Sequence, residues 1–126
     1  MGFDTIPIGE SQVIHIRCFD VLEHIPHVVF DYDTGARKFP SMQLWSEIYR
    51  ILQPGGTFEF QIPNRPHAGD THNYEHVSTW TKELVEYIIK GPDKEKAMYH
   101  NCCRFSVVQL EQNATHIRGE LRAEKP

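Results

Sequence analysis

The sequence predicts an α/β domain in which a short parallel sheet is linked by helices and extended by an antiparallel hairpin at its C-terminal edge. Three observations carry this. Apolar runs suited to strands alternate with stretches of helical apolar spacing, the pattern of β-α-β units. Proline and glycine fall between these stretches, as at Pro54-Gly55-Gly56, Pro63 and Gly91-Pro92, where they punctuate rather than interrupt. Two strand-like runs then close the chain with only a few polar residues between them.

The first element is the apolar run from Val13, Ile14 and Ile16 through Cys18, Phe19, Val21 and Leu22. It predicts a buried strand that leads into a loop at Glu23-His24-Ile25-Pro26. Residues 27–40 carry Asp31, Asp33, Gly35 and Pro40 and read as loop, since these types favour turns. A helix follows, with Ser41 as its expected N-cap. Leu44, Trp45, Ile48, Ile51 and Leu52 recur at helical spacing and form one apolar face. Gln53-Pro54-Gly55-Gly56 ends it, because proline cannot continue a helix and glycine accepts the left-handed exit. In the next strand Phe58, Phe60 and Ile62 share one face and Thr57, Glu59 and Gln61 the other. Residues 63–77 read as a polar, histidine-rich loop. A second helix is expected over 78–90, capped by Ser78, with Trp80, Leu84, Tyr87 and Ile88 on one side. The closing hairpin spans about 104–110 and 115–122, with Glu111 to Ala114 as its turn. Trp45 and Trp80 are expected in the core.

Composition narrows the function classes. The chain has 126 residues, which bounds it to one domain, 1–126. Hydrophobic residues make up 40% and charged residues 24%, the balance of a globular chain rather than a disordered one. The net charge is −4 and the basic residues are scattered, so there is no nucleic-acid footprint. No apolar run approaches the ~20 residues of a membrane span. The three cysteines, Cys18 and the adjacent Cys102 and Cys103, suit a reduced, cytoplasmic setting.

Two stretches together resemble a known family. Phe19-Asp20-Val21-Leu22-Glu23-His24-Ile25-Pro26 and Leu44-Trp45-Ser46-Glu47-Ile48-Tyr49-Arg50-Ile51-Leu52-Gln53-Pro54-Gly55-Gly56-Thr57-Phe58 are similar to the D-x-LEH-I and E-x-x-R-x-L-x-PGG signatures of small class I S-adenosylmethionine-dependent methyltransferases of the type 11 kind. Asp4-Thr5-Ile6-Pro7 resembles the segment those enzymes place between their third and fourth strands. The resemblance covers residues 4–90. It implies a partial Rossmann-like methyltransferase sheet holding the strands that correspond to four to seven. It also implies S-adenosylmethionine as cofactor and methyl transfer to an acceptor. The family's glycine-rich turn and ribose-binding acid would precede Asp4, so the domain is expected to be incomplete and truncated, with doubtful cofactor binding on its own.

Candidate site residues follow from the strand ends, outside which ligands collect in open α/β sheets. The resemblance implies that Asp20 and Glu23 contact the cofactor's methionine part; the alternative is that Glu23 and His24 only orient the loop. His24 is the candidate general base, because imidazole titrates near neutrality. Asn64 and Arg65, just past Pro63, are expected to meet the acceptor. His72 is the second catalytic candidate. His67, Asp70, His72 and His76 are also metal-ligand types in one loop, but no fixed helical geometry supports ligation, so they read first as a polar loop over the site mouth and no metal is assigned. Two other function classes stay open: a catalytically silent methyltransferase-like module or subunit completed by a partner, and a small metal-binding protein built on the 67–76 loop. Self-association or a completing partner is expected, since the first strand would otherwise have an open apolar edge.

Overall fold

The computed structural model describes residues 5–64, 77–90 and 104–125. Strand β1 spans Val13–Phe19 and is followed by a single 3-10 turn, Leu22–His24. A small hairpin joins β2, Val29–Phe30, to β3, Arg37–Lys38. Helix α1 spans Pro40–Ile51 and runs directly into β4, Leu52–Pro63. Helix α2 spans Lys82–Lys90. Strands β5, Phe105–Gln112, and β6, His116–Ala123, form the closing hairpin. The main sheet has the order β1-β4-β6-β5. β1 and β4 are parallel, whereas β6 is antiparallel to both β4 and β5. The mixed α/β reading and the antiparallel C-terminal hairpin therefore hold.

The alternation in β4 does what its sequence predicts. Phe58, Phe60 and Ile62 are fully buried, with Thr57, Glu59 and Gln61 half-buried on the other face. Trp45 of α1 sits over the buried row, in edge contact with Phe58, Phe60 and Phe105. Trp80, Val85 and Ile88 complete that core with Ile117, Leu121 and Ala123 of β6. Gly119 lets the Phe60 ring lie against β6: a Cβ there would stand 2.6 Å from the ring. The opposite face is polar. Arg17 donates to Glu59 at 2.8 Å, and His15 bonds Thr57 at 2.6 Å.

Several local expectations are corrected. β1 is half-exposed rather than buried, Ile14 reaching 71%, because β4 is its only neighbour among the described strands. Val21 and Leu22 belong to the turn after it, not to the strand. The 27–40 segment contains the β2–β3 hairpin, with Gly35 at φ +71° in its turn. α1 starts at Pro40, whose fixed φ suits a first helical position. Ser41 lies inside the helix, and its hydroxyl bonds His27 instead of capping. α2 starts at Lys82 and its cap is Thr81, whose hydroxyl accepts the Leu84 amide at 3.0 Å. Ser78 ties two distant groups together: its hydroxyl donates to the Leu22 carbonyl and accepts from the Trp80 indole. Val85 is buried where Tyr87 was expected, and Tyr87 is exposed.

The Pro54-Gly55-Gly56 signature has a clear physical role. Gly55 takes φ +78°, which glycine alone adopts without strain. Gly56 is pressed between the Gln53 and Ile14 carbonyls, at 2.9 and 3.0 Å from where a Cβ would stand. The chain can thus leave α1 and enter β4 beside β1 within a few residues.

Candidate functional site

Because β1 and β4 are parallel, their carboxyl ends share one rim. β6 is antiparallel, so its first residues come back to the same rim, with His116 opposite Pro63. This topology brings Asp20, Glu23, His24, Asn64 and His116 to one end of the sheet.

Asp20 follows β1 directly. Its amide donates to the Gln61 carbonyl at 2.9 Å and its backbone adopts φ +57°. Left-handed backbone costs a non-glycine residue about 1–2 kcal/mol, and such strain concentrates at functional positions. Its carboxylate is half exposed. Gln61 donates to it at 3.4 Å, and the Nε2 of His116 lies 3.7 Å away. The Nδ1 of His116 lies 2.9 Å from the Thr115 hydroxyl.

Glu23 and His24 lie in the 3-10 turn. The Glu23 side chain is 1% exposed and approaches the His24 Nε2 at 3.6 Å; the imidazole is 38% exposed. The Glu23 carbonyl accepts the amides of Val77 and Ser78. This fixes the turn against the segment entering α2. Glu23 therefore backs His24 from the interior, while His24 reaches the surface.

Asn64 is 5% exposed. Its side-chain amide donates to the Asn113 carbonyl at 3.0 Å and its backbone amide to Thr115 at 2.7 Å. It clasps the β5–β6 turn to the end of β4. Arg65, His67, Asp70, His72, His76, Cys102 and Cys103 lie outside the described residues. Among the described residues no group of three or more His, Cys, Asp or Glu is placed to hold a metal ion. No helix of the described residues is long and apolar enough to cross a membrane.

His116 is the rim residue that sequence reasoning missed. Its position depends on β6, rather than β5, pairing with β4, and nothing local in the sequence specifies that choice. Glu47 and Arg50 of the E-x-x-R signature lie elsewhere and have a structural role. The Glu47 carboxylate accepts the Ile6 amide at 2.7 Å, and Arg50 donates to the Ile6 carbonyl at 3.0 Å and to Glu47 at 2.6 Å. The Arg50 hydrogen bond holds the Glu47 carboxyl below its ordinary range.

No family model matches the sequence, and no curated protein does. Solved structures do. The chain is similar to one chain of the complex between the Haloferax volcanii Trm112 methyltransferase activator and a methyltransferase. That match has a TM-score of 0.58 at 14% identity, over 97% of this chain and 59% of that one. It is also similar to a protein described as a methyltransferase from Bacillus halodurans. There the TM-score is 0.52 at 14% identity, over 96% of this chain and 74% of that one. The chain thus spans 59% of the length of the Haloferax protein. At these identities the likeness is one of fold, and the fold is methyltransferase-like.

Proposed function

We propose that this chain is the acceptor-side part of an S-adenosylmethionine-dependent methyltransferase domain, active when a glycine-rich, cofactor-holding part is joined to it. The observation that carries the reading is the sheet order β1-β4-β6-β5 with β6 reversed, combined with the likeness to methyltransferase folds. On this reading the four strands correspond to strands four, five, seven and six of the complete sheet. None of the described strands is followed by a glycine-rich turn. The outer edge of β1 has no partner among the described residues, which is where a cofactor-binding strand belongs.

The rim fits the cofactor in part. Asp20 presents a half-exposed carboxylate at the end of β1, suited to the positive charge of the cofactor's methionine portion. Glu23 does not face outward, so its contribution runs through His24. S-adenosylmethionine, when bound, supplies a methyl group on a positively charged sulfur. The protein's work is then mainly alignment of the acceptor for in-line attack. His24 takes the acceptor's proton at an imidazole nitrogen, and the Glu23 carboxylate behind it stabilises the imidazolium. His116 and Gln61 hold the Asp20 carboxylate in place. His72 is the next candidate for the base, and Arg65 and Asn64 are the proposed acceptor-side residues, Asn64 chiefly through its hold on the β5–β6 turn.

The presence of an activator in the Haloferax complex supports a partner-dependent reading, in which the completing part is a second polypeptide. The test is reconstitution. The chain is co-expressed with a glycine-rich, cofactor-binding part of a class I methyltransferase, the complex is isolated, and radiolabelled methyl incorporation into a cell extract is measured. The reading expects incorporation from the complex and none from either part alone. A stable complex without incorporation or cofactor binding would overturn it.

A further inference from the structure

We propose that Ser41 and His27 form a nucleophile–base pair on the wall of an apolar pocket, giving the chain an acyl-transfer site for small apolar esters that uses none of the rim side chains. The His27 Nε2 lies 2.9 Å from the Thr79 carbonyl and its Nδ1 2.9 Å from the Ser41 hydroxyl. A carbonyl only accepts, so Nε2 carries the ring proton and Nδ1 holds a lone pair. The Ser41 hydroxyl therefore donates to Nδ1. A hydroxyl aimed at a base that a third group orients is the arrangement that activates a serine nucleophile. The Trp80 ring, 4.7 Å from the imidazole centroid, limits the tilt of that ring. Ser41 sits in the first turn of α1; its own amide is taken by the Pro26 carbonyl at 3.1 Å, so an oxyanion beside it is favoured by the partial positive charge of the helix end rather than by that amide.

His27 and Ser41 line a pocket of about 230 Å³ together with Val28, Phe39, Leu84 and Ile88. Ser41 is 2% exposed, so a substrate reaches it only by placing an apolar group in this pocket. Its size suits a short acyl chain or one ring and excludes a folded peptide. The chemistry balances without a further reactant. The Ser41 oxygen attacks the ester carbonyl carbon and its proton passes to His27 Nδ1. The ester C–O bond breaks and the alcohol leaves with that proton. Water then attacks the acyl-serine, its proton goes to His27, the acid is released and Ser41 regains its hydrogen. The same hydrogen bonds also pin residues 27 and 79 to α1, so the test must read reactivity and not stability.

The full chain is treated with a short-alkyl fluorophosphonate and analysed by intact mass and peptide mapping. The proposal expects one adduct, on Ser41 within the peptide 39–50, absent from Ser41→Ala and from urea-unfolded chain. In His27→Gln the labelling rate should fall by about 10²-fold, the usual size of general-base help. Val28 is 53% exposed at the pocket, so Val28→Trp keeps the fold and blocks entry; it should slow labelling even if His27→Gln fails to fold. No adduct on Ser41 of the folded chain, or equal labelling in a folded His27→Gln or in Val28→Trp, would overturn the proposal. None of these outcomes bears on methyl transfer at the rim.

Discussion

Glu47 and Arg50 stand three residues apart on α1, and between them they hold both polar backbone atoms of Ile6. The Glu47 carboxyl is held below its ordinary range by the Arg50 hydrogen bond, and Glu59 is held low in the same way by Arg17. A carboxylate whose folded pKa is depressed stabilises the fold fully above its unfolded value, here 4.5. That contribution is lost as pH falls through the lower folded value. The Tm should therefore decline as pH falls below 4.5 and through the lower folded values, and Glu47→Gln should make the decline shallower while lowering Tm at neutral pH. Thermal melts across that range check it; parallel curves would remove Glu47 from the account. At the rim, His24→Ala in the reconstituted enzyme should lower kcat by about 10²-fold and leave cofactor affinity nearly unchanged, because general-base help is felt in the transition state. Equal losses in both would assign His24 to packing. The position of Asp20 and His24 at the rim, as distinct from any role there, was legible because they stand at the end of an apolar run. His116 was not, because its place at the rim is set by pairing across the sheet.

At the scale of elements, the hydroxyl residues separate local from long-range signals. Ser41 and Ser78 each precede an amphipathic stretch, so sequence reasoning places them as caps. The fold recruits both hydroxyls elsewhere: Ser41 to His27, and Ser78 to Leu22 and Trp80. No local pattern reports partners that far away. The cap of α2 is Thr81, and Thr81→Ala should cost about 1 kcal/mol. Ser78→Ala should cost more, about 1–3 kcal/mol, since it orphans the buried Trp80 indole N–H and leaves the Leu22 carbonyl with the Ile25 amide alone. Urea unfolding of both variants gives the order, and the reverse order would contradict these assignments. The strand β4 and the apolar face of α1 were legible because period-two and helical spacing there coincide with burial. Gly119 was not singled out, yet Gly119→Ala should cost about 1–3 kcal/mol by driving a methyl into the Phe60 ring.

At the scale of the whole molecule, one face of the sheet is covered by α1 and α2 and the other is finished by polar cross-strand pairs. Among the described residues both outer strands, β1 and β5, keep an open edge, and the edge of β1 carries Ile14, 71% exposed. An edge of this kind is a template for another strand. Light scattering after size exclusion should show self-association of the isolated chain, reduced by Ile14→Lys. A monomer at every concentration would count against an edge built to be paired. The sheet order follows from the same physics. Parallel β1 and β4 need the α1 crossover between them, and reversal of β6 returns the hairpin to the rim. The decisive measurement is calorimetric titration of S-adenosylmethionine into the chain alone and into its purified complex with a glycine-rich methyltransferase part. The account predicts no saturable heat at micromolar cofactor for the chain alone and one site per complex. Saturable binding by the chain alone, or none by a stable complex, would contradict it.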